Sequence, residues 1–374
     1  MHKKSFPSHC IQGLLMAVFI LAAISGMAIA ADSTGYPRTI VDDANREITI
    51  EMPVEKIIPL DSSVAKILYL LGAQDKIIAV GDDVIARSGY LPGVKDKQNM
   101  GKWHDYDYEM IGELSKDGEN TPPNIIVLCS ANGMDPVSEI APALEGFSNI
   151  AVIGLDTNKM ENVTQDLEKL GVVLDKDSKV QENINWYEEK IAQVKEAVDG
   201  KSKTKVYNEL AASKGTGDLS TYGTISTISN LIEMAGGYNV NRDPKTFTKV
   251  SWEWVITQNP EIIFKTGAVD AYGWDKGPSQ DTIELEKTIN EIRSRPGADT
   301  LSAVKNDRIY VVWGSMLSGF DNVVGLAHLA KMFHPEIDLD PDEICQEYTS
   351  RLGLDVQRDR IVVYPAIKKV KIRK

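Results

Sequence analysis

Cationic and aromatic side chains recur in the segments that follow the predicted β-strands of this chain. Arginine and lysine neutralise carboxylates or catecholates and donate hydrogen bonds, while aromatic side chains form large, stiff apolar walls. In a parallel α/β sheet, ligands bind outside the carboxyl ends of the strands, where such segments meet. We therefore predict a site for a bulky anionic ligand, with these contacts: Ser62, Arg87, Tyr90, Lys102, Trp103, Asn132, Lys214, Tyr222, Trp274, Trp313 and Met316.

The predicted contacts divide into two roles. Arg87, Lys102 and Lys214 are expected to hold ligand charge. Four aromatic side chains are expected to form the walls: Trp103, Tyr222, Trp274 and Trp313. If the ligand is a haem, Tyr222 or Met316 could instead bind its iron as an axial ligand.

No motif of a common enzyme class accompanies these residues. The chain lacks the phosphate-binding GxxxxGK[ST] loop, HExxH, CxxC and GxSxG, and Gly215-Thr216-Gly217 lacks the third glycine of a dinucleotide fingerprint. Outside the first thirty residues the histidines are His104, His328 and His334, whose spacing does not favour a site for a bare transition metal. We therefore predict a protein that binds rather than catalyses and carries no covalently bound cofactor.

Composition and charge exclude several other classes. The 374 residues are 43% apolar and 25% charged, which is typical of globular proteins and long enough for about two domains. The net charge of −13 makes non-specific nucleic-acid binding a poor hypothesis, because that binding needs Lys and Arg to displace counterions. Cys129 and Cys345 are predicted to be thiols, with a disulfide as the alternative.

The first residues are typical of an export signal. Lys3 and Lys4 precede an apolar core at residues 14–24, and Ala28-Ile29-Ala30 offers a small-x-small cleavage site. We predict that residues 1–31 are a signal peptide and that the mature chain is periplasmic or extracellular, at the outer face of the membrane. A retained membrane anchor is the alternative, although the core is short for a span of about 20 residues.

The body of the chain alternates between strand-like and helix-like segments. Residues 36–50 are predicted to form a hairpin around a polar turn at residues 42–46. Continuous β-branched runs favour a parallel sheet covered on both faces, with strands at 56–60, 76–80, 124–128, 150–153, 205–210, 261–264 and 308–312. The predicted helices include 64–71, 227–235, 323–333 and 341–352.

One long helix separates two α/β halves. Ser178 and Gln181 form a capping-box pattern, and an apolar stripe then recurs at steps of three and four: Val180, Ile184, Tyr187, Ile191, Val194 and Val198. A rigid connecting helix is the prediction, and a coiled-coil dimer seam is the alternative. The predicted units are an N-terminal lobe at 38–176, the connecting helix at 177–200 and a C-terminal lobe at 201–374.

The order of these segments resembles the substrate-binding proteins of ABC importers for iron–siderophore complexes, haem and cobalamin. The resemblance covers about residues 38–355 and rests on four stretches: Ile40–Ile50, Ala235–Val240, Val250–Ile263 and Leu329–Glu336. An insertion at residues 116–123 departs from the family spacing. The resemblance implies two Rossmann-like lobes with mostly parallel sheets, joined by one rigid backbone helix.

The resemblance also implies a function and its partners. A monomeric protein would capture a metal chelate between the lobes and deliver it to a membrane permease and its ATPase. Docking would use one carboxylate from each lobe, at Glu109 and Glu253, with Glu113 as the competitor for the first. Two alternatives stay open, namely an exported chelatase or metal reductase on a related fold, and a direct binder of zinc or manganese.

Overall fold

The computed structural model describes residues 35–89, 91–115, 124–132, 136–157, 159–267, 282–354 and 361–367. The predicted signal peptide and the insertion at residues 116–123 lie outside this part of the chain, as do Tyr90 and Trp274. No helix in the described ranges is long and apolar enough to cross a bilayer.

The β-strands follow the apolar runs of the sequence. They are β1 Arg38–Val41, β2 Glu47–Ile50, β3 Lys56–Pro59, β4 Ala79–Val80, β5 Gln98–Asn99, β6 Gly101–Lys102, β7 Asp105–Tyr106, β8 Ile125–Ser130, β9 Ile150–Leu155, β10 Thr204–Glu209, β11 Leu219–Tyr222, β12 Gly237–Asn239, β13 Phe247–Val250, β14 Ile262–Gly267, β15 Ile309–Trp313 and β16 Val363–Tyr364.

The helices alternate with these strands in both halves. They are α1 Ser62–Leu70, α2 Asp82–Ile85, α3 Tyr108–Glu113, α4 Val137–Leu144, α5 Val163–Leu174, α6 Asp177–Val198, α7 Thr227–Met234, α8 Trp252–Gln258, α9 Ile283–Arg293, α10 Ser302–Lys305, α11 Asn322–Phe333 and α12 Pro341–Arg351.

The chain forms two mostly parallel sheets. The strands of the first precede α6 in the sequence, and those of the second follow it. The first has the order β3-β8-β9 and is parallel throughout. The second has the order β12-β10-β14-β15-β16, and only β16 runs antiparallel to its neighbour. The predicted α/β class with mostly parallel sheets is confirmed.

One predicted strand is much shorter than expected. Residues 74–76 form a 3₁₀ turn, and within the predicted strand 76–80 only Ala79–Val80 forms a strand, β4, which pairs with β5. Ile77 meets Ile57 of β3 in a single parallel bridge. The apolar run at residues 76–80 therefore packs beside the first sheet but does not add a full-length strand to that sheet.

The predicted hairpin is formed by β1 and β2, with Arg38 opposite Ile50. Asp42 closes its turn by accepting hydrogen bonds from the backbone of Ala44 and Arg46 at 3.0 and 2.9 Å. Asn45 takes the left-handed conformation, with φ of 59°, which asparagine tolerates. The polar turn that the sequence predicts is therefore confirmed.

The connecting helix α6 is continuous over 22 residues, but its predicted capping box does not form. Asp175 ends α5 in the left-handed conformation, and α6 then begins at Asp177, so that Ser178 lies inside the first turn. The side chain of Gln181 instead donates to Asn185 at 3.1 Å. The tight junction between the two helices, rather than a serine cap, sets where α6 begins.

The apolar stripe of α6 is buried within the chain along most of its length. Asn183 donates to the Leu70 carbonyl of the first half at 3.0 Å, while the Tyr187 hydroxyl donates to Asn322 of the second half at 2.6 Å. The stripe is therefore not available as a dimer seam. Instead, α6 packs against both halves.

A buried ion pair joins the two halves next to α6. Lys66 of α1 lies 2.5 Å from Asp321, which precedes α11, and their side chains are 2% and 0% exposed. The Tyr348 hydroxyl donates to the other carboxylate oxygen of Asp321. Removing one member of such a pair leaves an uncompensated buried charge, so this contact fixes how the halves meet.

Candidate functional site

A cavity of about 330 Å³ lies between the segment that follows β9 and the start of α7. Lys159 and Glu161 line it from the first half, and Thr224–Thr227, Asn230 and Arg242 line it from the second. Its volume falls within the range of about 300–1,000 Å³ that is usual for small-molecule sites. Both halves of the chain therefore contribute to one pocket.

The α7 side of this pocket is rich in hydroxyl groups with fixed positions. The Ser226 hydroxyl caps α7 by accepting from the Ser229 amide at 3.0 Å, and it donates to the Gly223 carbonyl at 2.8 Å. A Cβ on Gly223 would lie 2.2 Å from the Lys245 carbonyl oxygen, so only glycine fits there. Since a helix N-terminus favours negative charge, this wall suits an anionic group of a ligand.

The β9 side of the pocket contributes one lysine, Lys159, that stays protonated. Lys159 lies 2.7 Å from Asp156, and its side chain is 52% exposed. The hydrogen bond from Lys159 to Asp156 is the main cause that raises the pKa of Lys159, so the ammonium group stays charged. Asp156 also accepts from Asn132 at 3.0 Å.

A second cation lies across the pocket. Arg242 donates to Glu233 at 2.6 Å and is 49% exposed. Burial opposes ionisation of Glu233, but hydrogen bonds from Lys203 and Arg242 outweigh it and lower the pKa of that carboxyl. Arg242 therefore keeps an ionised partner while part of its guanidinium remains open to a ligand.

This arrangement is able to bind a polar ligand. Among the described residues, the lining supplies two cations, a helix N-terminus, several hydroxyl groups and two carboxylates. Its side chains can therefore hold a polar ligand that has both negative groups and hydrogen-bond donors. Across the described part of the chain, moreover, no group of three or more His, Cys, Asp or Glu side chains is placed to hold a metal ion.

Another cavity, of about 580 Å³, lies wholly in the first half, between α4, β2 and β9. Its β9 lining is Ile150–Val152, at the amino end of that strand. Ligands of parallel α/β sheets bind at the opposite, carboxyl end. The cavity beside Lys159 is therefore the better candidate.

Some predicted contacts are accessible but lie outside the lining of this cavity. Lys102 and Lys214 are exposed, and Trp103 is 42% exposed in the turn between β6 and β7. Tyr222 is half-buried two residues before Thr224, and burial raises its pKa. Its ring centroid lies 5.0 Å from that of Phe247. These four side chains border open surface, and their contact with a ligand stays a prediction.

Other predicted contacts have protein partners. The Arg87 guanidinium pairs with Asp83 four residues earlier, and the Asn132 amide group donates to Asp156. Ser62 is only 4% exposed, at the first position of α1. The Arg87 and Asn132 side chains help to hold the loops at the carboxyl ends of the first sheet, and the Ser62 backbone amide donates to Asp83 at 2.9 Å. Tyr90 and Trp274 lie outside the described residues.

Trp313 and Met316 require a correction, because both are 0% exposed. β15 runs buried as far as Trp313, and α11 packs directly on the segment that follows it. A Cβ on Gly325 of α11 would lie 2.1 Å from the Met316 carbonyl oxygen. In this structure, neither Trp313 as a cleft wall nor Met316 as an axial haem ligand can reach a ligand.

The histidines of the second half are also buried. His328 is 4% exposed in α11, and burial lowers its pKa to about 4. His334 is 5% exposed and lies 3.1 Å from the Gly236 carbonyl oxygen. Both are core residues, whereas His104 is exposed in the turn before β7.

The sequence prediction missed Lys159, Arg242 and the hydroxyl-rich approach to α7. The sequence did contain a signal for two of these features, Lys159 and the approach to α7. The segment that contains Lys159 follows the fourth predicted strand, and Thr224-Ile225-Ser226-Thr227 directly precedes a predicted helix. No local signal marks Arg242, because the β11–β13 pairing that surrounds its segment is non-local, with Leu219 opposite Val250.

The two predicted docking carboxylates occupy equivalent positions on short capped helices. Glu109 lies in the first turn of α3, where the Asp107 carboxylate accepts from the Met110 amide at 2.9 Å. Glu253 lies in the first turn of α8, where the Ser251 hydroxyl accepts from the Trp254 amide at 3.3 Å. Both glutamates are exposed.

The charge of Glu253 favours docking of α8 to a cation. Hydrogen bonds from its own backbone amide and from Ser251 lower the pKa of Glu253, so this carboxyl is charged at neutral pH. The competing Glu113 lies at the far end of α3, not in its first turn. By its place in the helix, Glu109 is therefore the counterpart of Glu253, and the docking role of both stays a prediction.

Residues 57–314 match the model of a family described as periplasmic binding protein, which is more than half of the chain. Two similar curated proteins from Bacillus subtilis are each 22% identical to it. The uncharacterised ABC transporter substrate-binding lipoprotein YvrC covers 86% of this chain and 96% of its own length. The petrobactin-binding protein YclQ covers 74% of this chain and 88% of its own length.

A solved structure is similar in fold. The TroA-like periplasmic binding protein FepB from Veillonella parvula superimposes with a TM-score of 0.68 at 20% sequence identity. The alignment covers 87% of this chain and 99% of that one. The similarity therefore extends across both halves and α6.

Proposed function

The chain belongs to the periplasmic binding protein family, and we propose that it captures a chelated metal outside the cytoplasm and delivers it to an ABC importer. The observation that carries this proposal is the cavity beside Lys159, which residues of both halves line. A ligand there would contact both halves at once. Such a ligand would be carried without any chemical change, so we propose no catalytic step.

We take residues 38–176 and 201–374 as the two lobes of this carrier, with residues 177–200 as the connection. Since α6 packs on both halves and Lys66 pairs with Asp321 across them, we expect the lobes to move little when a ligand binds. Cleavage of residues 1–31 would release a monomer at the outer face of the membrane. The permease and its ATPase would then be its partners.

We favour a ferric siderophore as the ligand, with haem and corrinoids as the other members of the same class. One relative is named for petrobactin binding. Free carboxylate or catecholate oxygens of a ferric chelate would meet Lys159, Arg242 and the N-terminus of α7. The burial of Met316 counts against axial haem ligation by that residue.

Tryptophan fluorescence tests this proposal. The purified protein is titrated with ferric petrobactin, haemin and cyanocobalamin, and we expect one of them to quench emission at micromolar concentration. The K159M and R242M variants should each weaken that binding about tenfold, which is about 1.4 kcal/mol. The matched control is K249M, because Lys249 is exposed and does not line the cavity.

Three outcomes would count against the proposal. If none of the three chelates changes the fluorescence at micromolar concentration, the substrate class is wrong. If the protein purified without chelators retains stoichiometric zinc or manganese and no organic ligand, it is a direct metal binder. Turnover of a metal chelate by the purified protein would support the alternative of an exported enzyme.

A further inference from the structure

Four ionisable side chains meet at the carboxyl ends of β10 and β14, away from the cavity lining. They are Glu209, Lys265, Glu291 and Arg295, called the Glu209 cluster below. Arg295 donates to both oxygens of Glu209 at 2.7 and 2.8 Å, and Lys265 donates to one of them at 2.8 Å. Arg295 also binds Glu291 at 2.8 and 3.1 Å.

The Glu209 cluster is formally neutral, and three of its four side chains are buried, while Glu291 is 33% exposed. The side chains of Glu209, Arg295 and Lys265 are 0%, 2% and 5% exposed. Burial of such charges is costly unless their geometry is good, and the two-pronged contact of Arg295 with Glu209 supplies that geometry. A cluster of this kind fixes the relative positions of the segments that contribute to it.

One segment that the cluster holds is the loop between β10 and β11. The Glu291 carboxylate accepts from the Gly215 amide at 2.8 Å, and the Lys265 ammonium donates to the Ser213 carbonyl. Gly215 has a φ of 71°, which glycine adopts without strain. The loop that presents the exposed Lys214 is thus tied to the cluster on both sides of that residue.

The other segment is the start of α8. The Arg295 guanidinium lies over the Trp252 ring at 4.9 Å, and the Trp252 indole donates to the Pro296 carbonyl at 2.9 Å. The Trp252 backbone amide donates to the Thr216 carbonyl at 3.0 Å, so α8 also contacts the loop directly. Trp252 is 1% exposed, whereas the next residue, Glu253, is exposed.

We infer that Arg295 is a positioning residue for Glu253 and ties this carboxylate to the loop that carries Lys214. The inference rests on the proposed docking role of Glu253. Arg295 is too buried to touch a permease, so its effect passes through Trp252. A movement of the loop on ligand binding would thereby change the position of the carboxylate at the docking surface.

The test measures the affinity of the ligand-free protein for the permease–ATPase complex in lipid nanodiscs. R295K keeps the charge but loses the two-pronged contact and the planar stacking, so the fold is retained with a looser cluster. We expect E253Q to weaken docking at least thirtyfold and R295K to weaken it about tenfold. The double variant should dock no more weakly than E253Q alone, because both changes act through one carboxylate.

The control is R293K, since Arg293 is the last residue of α9, two residues before Arg295, and forms an exposed pair with Asp307. It should dock like the wild type. Amide exchange at residues 252–255 and 213–217 should accelerate in R295K and stay unchanged in R293K.

The outcomes separate this inference from the proposed function. If R295K docks like the wild type, the inference is overturned. It is also overturned if the double variant loses a further tenfold in docking affinity relative to E253Q, because Arg295 then has a structural role only. If E253Q itself docks like the wild type, the proposed docking role fails, whatever R295K does to amide exchange.

Discussion

The two candidate docking helices present the same exposed group but are held by different forces. In α3 and α8 a glutamate follows an aromatic residue in the first turn of a capped helix. α8 is fixed by the Glu209 cluster, whose bonds are short and directional. α3 depends on apolar packing, with Ile111 fully buried and Gly112 against the Phe147 ring.

The comparison of α3 with α8 shows that two glutamates can both be exposed although different contacts hold their helices in place. Apolar packing is non-directional and tolerates changes of similar volume. A buried ionic cluster is sensitive to the loss of a single member, because the charges that remain are then less well compensated. We therefore expect the start of α8 to be more sensitive to single substitutions than the start of α3.

The largest expected effect comes from R295M, which leaves Glu209 with one cation in place of two. We expect the free energy of unfolding in urea to fall by about 3–5 kcal/mol, as is usual when a buried pair loses one partner. The matched change R293M removes an exposed pair with Asp307 and should cost less than about 1 kcal/mol. Equal losses in the two variants would contradict the role of the Glu209 cluster.

The first half contains a buried carboxylate, that of Asp166, which contrasts with Glu209 because its negative charge is only partly neutralised by a nearby cation. Burial, followed by the neighbouring Asp43 carboxylate, raises the pKa of Asp166 to about 7. Lys169 is shared between these two acids. Because the folded-state pKa lies above the unfolded value of 3.8, the contribution of Asp166 to stability is present at low pH and is lost as pH rises from about 4 to 7.

The D166N variant should therefore gain stability relative to the wild type between pH 4 and pH 8, by on the order of 2–4 kcal/mol. Urea unfolding across this pH range measures the difference. D175N is the control, since Asp175 is exposed and pairs with Arg38 at the surface. A D166N difference that does not change with pH would show that Asp166 is ionised throughout.

A smaller effect is expected from G112A in α3. A Cβ on Gly112 would lie 2.1 Å from the tip of the Phe147 ring, so the ring must turn away, at a cost of about 1–3 kcal/mol. The control is G146A, where no atom lies within 4 Å of the new Cβ. In an F147A background the cost of G112A should disappear; if it persists, α3 is not supported by this contact.

Much of the fold could be predicted from the sequence because its signals are local. The hairpin turn at Asp42–Arg46 and the helix that Asp61 caps each have hydrogen bonds between neighbouring residues. Asp61 accepts from the Ser63 and Val64 amides, and Gly72 follows α1 with φ of 65°. By contrast, the capping box at Ser178 is a correct local pattern that the junction between α5 and α6 overrides.

The candidate site was harder to predict because it depends on which loops meet and on what covers them. The carboxyl-end rule selects an edge of each sheet but not the depth of a side chain. Trp313 is the last residue of β15 and Met316 follows this strand, but both are 0% exposed. Lys159 and Arg242 are far apart in the sequence and come to one cavity only through the packing of the two halves.

The central claim is that a metal chelate binds between the halves of this chain. Anomalous diffraction from crystals grown with ferric petrobactin tests it most directly, because the iron reveals its own position. The account predicts one iron peak in the cavity that Lys159, Arg242 and the start of α7 line. An iron peak in the α4–β9 cavity or elsewhere on the surface would contradict it.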